Sequence, residues 1–179
     1  MKITIFGNPG TGKSTVGKLL ASKLGYAFMS SGNMFRDMAK ELGMTVYELD
    51  TLSQTDPQYD IKLDQMVAEY GRTNDNFVFE SRLAWHFIPD SIKIELYTND
   101  VVAAERVAQR DQISTEDARA NNELRIATYV ARYPKTYPDV HYPPLKEDFH
   151  LSIDVTEPLP EAIVERILTF LKKEGYVLE

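Results

Sequence analysis

Short apolar runs alternate with longer segments in which apolar residues recur at helical spacing, and this alternation starts at the beginning of the chain. Residues 2–6 are rich in β-branched and aromatic residues, which is typical of a strand. Residues 16–24 have apolar side chains at the spacing of an amphipathic helix. Because the alternation continues to residue 173, the pattern predicts an α/β fold with a mostly parallel sheet and helices on both faces.

The pattern predicts five strands and seven helices. The predicted strands are residues 2–6, 26–30, 77–80, 92–97 and 149–154. The predicted helices are residues 16–24, 31–42, 45–53, 57–71, 100–110, 114–133 and 159–173. Ser31, Asp100 and Ser114 are the expected N-caps of three of these helices. The longest helix is expected to end near Tyr133, because Pro134 disfavours helical geometry in the residue before it.

Residues 133–148 contain four prolines and three tyrosines and show little periodicity. This composition predicts a surface loop. Ordered loops of this length are usually functional or mobile, and a flexible connector without a ligand is the alternative interpretation.

A glycine-rich loop joins the first predicted strand to the first helix. Residues 7–14 follow the phosphate-binding loop pattern, a glycine, four residues, a second glycine, Lys, and Ser or Thr. The glycines let backbone N–H groups point at a phosphate, and the helix N-terminus adds the positive end of its dipole. Lys13 would reach the β and γ phosphates of ATP, and the Ser14 hydroxyl would ligate Mg²⁺. The predicted nucleotide-binding residues are Gly7, Asn8, Pro9, Gly10, Thr11, Gly12, Lys13, Ser14 and Thr15.

Arginines are concentrated in one part of the chain. Six of the nine lie within a window of 51 residues, namely Arg82, Arg106, Arg110, Arg119, Arg125 and Arg132. The planar guanidinium suits phosphate oxygens, so the cluster favours a phosphoryl-transfer site over a module that only senses ATP. The alternative is a solvated face in which each arginine pairs with a neighbouring acid.

Glu80 ends an apolar strand where a parallel sheet presents its ligand-binding residues. An acid at this place in phosphate-loop enzymes often orients Mg²⁺ or its waters. A helix-capping or turn acid is the alternative interpretation. The predicted metal-binding residues are therefore Ser14 and Glu80.

Composition limits the remaining possibilities. The 179 residues, 43% of them hydrophobic, suffice for one domain spanning 1–179. A net charge of −7 argues against binding a nucleic acid polymer. The chain has no cysteine, begins without a basic leader and contains no apolar run near the ~20 residues of a membrane span. We therefore expect a cytoplasmic protein without a membrane partner, a monomer with a dimer as the alternative.

Four segments carry a resemblance to a known family. They are the phosphate-binding loop, residues 31–36, Asp56-Pro57 with Asp60, Lys62 and Asp64, and residues 80–84. Together they resemble the archaeal-type cytidylate kinases over most of the first 135 positions. That family is similar to adenylate kinase in its five-stranded core. The resemblance implies a P-loop kinase three-layer sandwich with a segment that binds the nucleoside monophosphate at about 30–72 and a lid at about 112–148.

The resemblance also implies roles for individual residues. Arg106 or Arg110 would pack near the donor adenine and phosphates. An acid would accept from the exocyclic amino group of cytosine, with Asp60 or Asp64 as candidates and solvated surface acids as the alternative. The predicted acceptor-binding residues are Ser31, Gly32, Arg36, Asp60, Asp64 and Arg82. The predicted catalytic residues are Lys13, Arg82, Arg119, Arg125 and Arg132, the last three in or beside the lid.

Three segments depart from the family pattern, and one of them is Ala84-Trp85-His86, where the family usually has a Gly-Trp pair. Ser81 stands where the family usually has glycine, and its side chain would either crowd the acceptor phosphate or bond it. The stretch after the lid helix is altered to Tyr137-Pro138-Asp139-Val140. The expected activity is ATP-dependent phosphoryl transfer to CMP or dCMP. Transfer to AMP, shikimate or a sugar acid, and ATP binding by a non-catalytic regulatory protein, are the alternatives.

Overall fold

The computed structural model describes residues 1–176, and residues 177–179 of the predicted domain lie outside this range. Within it, five strands form one sheet. They are β1 (Lys2–Phe6), β2 (Ala27–Ser30), β3 (Phe77–Glu80), β4 (Ile92–Tyr97) and β5 (Leu151–Asp154). Their order is β2-β3-β1-β4-β5, and every adjacent pair is parallel. The predicted α/β class is confirmed.

Helices connect the strands along the chain. They are α1 (Lys13–Leu24), α2 (Ser31–Glu41), α3 (Val46–Thr55), α4 (Gln58–Thr73), α5 (Ala84–Phe87), α6 (Asp100–Asp111), α7 (Thr115–Thr136) and α8 (Pro160–Lys173). The one-turn helix α5 was not predicted, because four residues are too few to show a periodicity. Between residues 1 and 176, no helix combines the length and the apolar character needed to cross a membrane.

The helices cover both faces of the sheet and give the predicted three layers. On one face, α1 and α8 pack against Ile3, Ile5 and Ile94, all fully buried. The other face carries a set of residues that we call the aromatic cluster. Its buried members are Phe6, Leu83, Trp85, Tyr129, Tyr133 and Val140. Since neighbouring residues of a strand point to opposite faces, Ile5 and Phe6 of β1 contribute to different layers.

The carboxyl ends of the three strands β1, β2 and β3 lie together at one edge of the sheet. Glu80 is in register with Ile5 of β1 and Ser30 of β2. The glycine-rich loop leaves β1 at this edge, and α2 begins directly after Ser30. Parallel pairing therefore brings the loop, Glu80 and the start of α2 into one neighbourhood.

The helix α7 continues past its predicted end. It runs through Pro134 to Thr136, and the Tyr137 amide donates to the Tyr133 carbonyl at 2.8 Å. Tyr133 is 5% exposed, and its ring stacks on Tyr129 with 5.5 Å between centroids. The predicted end near Tyr133 was wrong because this burial outweighs the local preference of the residue before a proline.

The segment between α7 and β5 has no strand or α-helix and more than half of its residues are exposed, so the prediction of a surface loop is confirmed, but the loop is anchored to the core. Val140 is 3% exposed. The Tyr142 ring lies edge-on to Tyr133 at 4.9 Å and to Phe6 at 6.4 Å between centroids. The tyrosines of this segment therefore anchor it to the aromatic cluster.

Two helix caps lie one residue before their predicted positions. Asn99, rather than Asp100, caps α6 by accepting a backbone N–H at 2.9 Å. Ser30 occupies the cap position of α2 and makes no side-chain capping bond. The predicted cap of α7 is confirmed, since Ser114 Oγ accepts from the Asp117 N–H at 3.0 Å.

Candidate active site

The glycine-rich loop between β1 and α1 has a backbone that only glycine adopts easily. Gly10 has φ of +84° and Gly12 has φ of +77°, both in the left-handed region. A Cβ on Gly10 would lie 2.4 Å from the Ala103 carbonyl oxygen, so the loop is held tightly against α6. Gly12 is the last residue before α1, and the free N–H groups of the first helical turn follow it. The loop is thus shaped to receive an anion.

Lys13 and Thr11 both donate to the Asn8 carbonyl, from Nζ at 3.0 Å and from Oγ1 at 2.8 Å. These bonds fold the loop and hold the ammonium over it. Burial lowers the pKa of Lys13 to about 8; Glu80 opposes the shift, while Arg82, Arg125 and Arg110 reinforce it. The cations of three separate elements therefore converge near Lys13, which is the electrostatic arrangement that a polyphosphate would neutralise.

Ser14 and Glu80 form a polar pair at the edge of the sheet. Ser14 Oγ donates to Glu80 Oε2 at 2.5 Å, joining the start of α1 to the end of β3. Hydroxyl and carboxylate oxygens are ligands that Mg²⁺ prefers. In the described part of the chain, no group of three or more His, Cys, Asp or Glu side chains could hold a metal ion by itself. A cation here would therefore share its coordination with phosphate oxygens.

One cleft of about 1250 Å³ collects nearly all of the predicted site residues. Its lining includes Gly7 through Thr15, Ser31, Gly32, Arg36, Asp60, Asp64, Glu80, Arg82, Arg106, Arg110, Arg125 and Arg132. These residues come from the first helix, the segment α2 to α4, the end of β3, and the helices α6 and α7. The structure therefore joins the phosphate-binding loop and the predicted acceptor residues in a single space.

Arg119 is the predicted site residue that the structure does not bring to this cleft. Its Nε donates to Glu123 Oε1 at 3.0 Å, and it lines a smaller cavity of about 70 Å³, which shares Asn8, Pro9 and Thr11 with the cleft. Helical geometry explains the difference. Arg125 and Arg132 are seven residues apart and share one face of α7, whereas Arg119 is turned away from Arg125 by roughly 120°. Its catalytic role stays a prediction.

Arg82 is fixed at both its guanidinium and its backbone. The guanidinium carbon lies 3.7 Å from the centre of the Tyr129 ring. Tyr129 in turn stacks on Tyr133, with 8° between the ring planes. The indole Nε1 of Trp85 donates to the Arg82 carbonyl at 2.9 Å. A guanidinium in close contact with an aromatic ring has restricted freedom, which favours the single orientation that bidentate binding of a phosphate requires.

Asp60 and Asp64 of α4 are buried, at 5% and 7% exposure. Asp60 Oδ2 lies 3.0 Å from Arg132 Nε, and the Tyr137 hydroxyl donates to Asp64 Oδ2 at 2.6 Å. Burial raises the pKa of Asp60, against the opposing charges of Arg132 and Arg82. Burial also raises the pKa of Asp64 to about 7, and the charge of Asp60 adds to this shift. These acids are not the solvated surface groups that were the alternative interpretation.

Three other predicted arginines of the cleft have local partners. Arg106 Nη2 donates to the Val155 carbonyl at 2.8 Å, which ties α6 to the chain after β5. Arg110 Nε donates to Asp111 Oδ1 at 2.7 Å. Arg36 donates to the Asn33 side chain. All three side chains also line the cleft, so these contacts leave them at its surface.

Sequence reasoning missed the aromatic part of the cleft. Tyr129, Tyr133 and Tyr142 line it, and so does Tyr47, which is 80% exposed. For Tyr129 and Tyr133 a signal was available, because tyrosines four apart on a helix next to arginines form a surface on which a guanidinium stacks. For Tyr47 and Tyr142 the sequence offered no pattern.

Ser81 uses its hydroxyl within its own turn. Its Oγ accepts from the Leu83 N–H at 3.3 Å, and the residue is 5% exposed. At the position where the resembled family usually has glycine, this chain therefore has a serine whose hydroxyl is already hydrogen-bonded within the protein.

Comparison with known proteins agrees with this geometry. The model of the cytidylate kinase-like family matches residues 2–157. A cytidylate kinase of Methanobrevibacter smithii is 34% identical over 174 residues, which are 96% of this chain and 99% of that protein. One from Ignicoccus hospitalis is 37% identical over 172 residues, 94% of this chain and 98% of that protein.

Solved structures share the fold at low identity. A shikimate kinase from Acinetobacter baumannii superposes with a TM-score of 0.65 at 18% identity, covering 97% of this chain and 94% of that one. At this identity the likeness speaks for the P-loop kinase fold alone. The match of residues 2–157 and the two cytidylate kinases of 34% and 37% identity show that the chain belongs to the cytidylate kinase-like family and is thereby a nucleoside monophosphate kinase.

Proposed function

We propose that this protein transfers the γ-phosphoryl group of ATP to CMP or dCMP. The observation that carries the proposal is the single cleft that is lined both by the phosphate-binding loop and by the buried acids Asp60 and Asp64. The loop suits a polyphosphate, and a carboxylate suits a base that presents an amino group. The names of the relatives support the same acceptor.

On the donor side, residues 7–15 would bind the phosphates of ATP through backbone amides and the Lys13 ammonium. Arg106 and Arg110 would lie beside the donor nucleotide. Ser14 and Glu80 would hold Mg²⁺, which when bound neutralises charge between the β and γ phosphates. The Ser14–Glu80 contact of 2.5 Å already places both oxygens side by side, which fits such an ion.

On the acceptor side, Ser31, Gly32 and Arg36 would contact the nucleotide, and Arg82 would bind its phosphate. Asp64 Oδ2 accepts a hydrogen bond from the Tyr137 hydroxyl, and Oδ1 would accept from the exocyclic amino group of cytosine. Asp60 offers an equivalent oxygen beside Arg132. Adenine also carries an amino group, so its exclusion depends on the size of the pocket as well as on these acids.

In the reaction, an oxygen of the acceptor phosphate attacks the γ-phosphorus, and the bond to the bridging oxygen of ADP breaks. A phosphate acceptor needs no strong general base, so positioning and charge stabilisation supply most of the catalysis. Lys13, Arg82, Arg125 and Arg132 are the proposed source of that charge. Closure of residues 112–148 over the cleft would exclude water, which would otherwise hydrolyse the donor.

The test is ATP consumption against a panel of CMP, dCMP, UMP, AMP, shikimate and gluconate. We expect selective turnover of CMP and dCMP, and an activity lower by about 10³-fold in the K13A variant. Preference for shikimate or gluconate would overturn the acceptor. If ATP binds but no acceptor of the panel is phosphorylated, the result would favour a regulatory ATP-binding protein instead.

The proposal extends to the state of the protein, which we take to be a cytoplasmic monomer that acts on small nucleotides and not on nucleic acid polymers. The net charge of −7 supports the last point. Light scattering of the purified chain, with and without nucleotides, measures the oligomeric state, and a dimer would contradict it.

A further inference from the structure

Two polar contacts join helices that are far apart in the sequence. Asp60 and Asp64 lie one turn apart on the same face of α4. Arg132 near the end of α7 pairs with Asp60, and Tyr137, which follows the last residue of α7, donates to Asp64. Both contacts therefore connect the predicted acceptor segment to the base of the predicted lid.

Tyr137 is held in place from two sides. Its ring packs edge-on against Phe87, with 5.2 Å between centroids, while its hydroxyl reaches Asp64 at 2.6 Å. Arg132 lines the cleft, whereas Tyr137 is absent from its lining. Tyr137 can therefore influence a ligand only through the residues that it positions.

Arg132 is placed by charge more than by hydrogen bonds. Its Nε and Nη1 are buried and make no hydrogen bond to the described residues, although Nε lies 3.0 Å from Asp60 Oδ2. Nε can be this close to the carboxylate without a hydrogen bond if the N–H does not point at the oxygen. Buried donors of a charged group without partners are costly, so the nearby Asp60 carboxylate stabilises the guanidinium where it lies. The orientation of Arg132, whose side chain also lines the cleft, therefore depends on where α4 places Asp60.

We propose that Tyr137 is a positioning residue of the acceptor site, whose hydrogen bond to Asp64 holds α4 against α7 so that Asp60 orients Arg132 toward the acceptor nucleotide. This inference rests on the proposed function. A polar link is a costly way to hold two helices together, since apolar side chains of similar volume often do so equally well or better. Unlike an apolar contact, a hydrogen bond also fixes the relative orientation of the two side chains that it joins.

The Y137F variant tests the inference because it keeps the ring that packs on Phe87 and removes only the donor. Hydrogen bonds to charged groups contribute about 1.5 to 3 kcal/mol, so we expect the KM for CMP to rise about tenfold or more. The KM for ATP should stay unchanged, because the phosphate-binding loop does not touch Tyr137. Since Arg132 is also a proposed source of catalytic charge, kcat should fall as well, but by a smaller factor than the KM for CMP rises.

The pH dependence of the KM for CMP distinguishes a positioning role of Tyr137 from a merely structural one, because a structural role would not shift this dependence. The groups facing Asp64 are Tyr137, Asp60, Arg132, Arg82 and Tyr133. Burial raises the pKa of Asp64 to about 7, and the Tyr137 hydrogen bond limits this rise. The ionised form accepts from an amino group, so the KM for CMP should fall as pH rises through this range. In Y137F the same fall should occur at higher pH.

Two further variants serve as controls. Y26F removes a hydroxyl from a tyrosine that packs on the opposite face of the sheet, and it should behave like the wild type. D64N keeps an oxygen that accepts from Tyr137 but does not ionise, so it should abolish this part of the pH dependence. Thermal unfolding of all variants shows whether they remain folded at the assay temperature.

An unchanged KM for CMP and an unchanged pH midpoint in Y137F would overturn the inference. So would an equal loss of activity at every pH and for both substrates, which is the result expected of a structural residue. If the wild type does not turn over CMP at all, the proposed function has failed instead. The Asp64 carboxyl can then be titrated by carbon NMR, and its midpoint must still rise in Y137F.

Discussion

The proposed donor side and the proposed acceptor side of the cleft are built in opposite ways. The donor side is one contiguous stretch, residues 7–15, and its geometry comes from the backbone of a single strand-to-helix turn. The acceptor side is assembled from side chains of distant elements; Tyr137 and Asp64, for example, are 73 residues apart in the chain. A site made of backbone amides depends little on its neighbours, whereas a site made of remote contacts depends on how the helices pack.

The largest effect should come from the one donor-side residue whose side chain matters most. K13A should lower kcat/KM for CMP phosphorylation by about 10³-fold, because a charge is removed from where the transferred phosphoryl group is stabilised. The matched control is K18A on the same helix, whose Nζ lies 5.9 Å from the centre of the Phe28 ring. Steady-state kinetics measures both, and equal rates for K13A and wild type would place the donor site elsewhere.

The backbone origin of the donor side is tested by G10A. The added Cβ would overlap the Ala103 carbonyl and must adopt a φ of +84°, so we expect a loss of about 3 kcal/mol of unfolding free energy. G43A has a comparable φ of +67° but no atom within 4 Å of the Cβ, and should lose only about 1 kcal/mol. Urea denaturation compares them, and equal losses would show that the close approach to α6 is unimportant.

On the acceptor side, R82K keeps the charge and removes the planar fork that stacks on Tyr129. We expect kcat/KM for CMP to fall about 30-fold, with the KM for ATP nearly constant. R72K is the control, because Arg72 pairs with Glu69 on an exposed part of α4. If R82K retained full activity, the contact between the Arg82 guanidinium and the Tyr129 ring, at 3.7 Å, would have no role in acceptor binding.

The smallest of these effects sharpens the boundary of the site on α7. R125A should lower kcat about tenfold, because it removes one of the charges proposed to stabilise the transferred phosphoryl group. R119A should change kcat by less than about threefold, because Arg119 pairs with Glu123 outside the cleft. A larger loss in R119A than in R125A would mean that the lid rotates during closure and exchanges these two side chains.

The donor side could be predicted from the sequence because its determinants are local. The spacing of Gly7, Gly12, Lys13 and Ser14 specified a loop, and the strand and helix around it follow from periodicity. Glu80 was also predicted at the edge of the sheet, since parallel strands present their carboxyl ends together.

The acceptor side could be predicted only as a list of residues. The sequence identified Asp60 and Asp64, but their burial and their partners depend on contacts with α7 that no local pattern encodes. The same limitation explains Pro134, whose local effect lost to the burial of Tyr133. It also explains Arg119, because the face of α7 that meets the cleft is chosen by tertiary packing.

The aromatic cluster has a mechanical consequence. Phe6 is the residue directly before the phosphate-binding loop, and its ring packs on Tyr142 and stacks on Phe149. Tyr129 and Tyr133 belong to the same cluster, so the end of α7 and the loop that follows it are anchored to β1. We therefore expect that, when the predicted lid (residues 112–148) closes, the part before Tyr129, which carries Arg119 and Arg125, moves most.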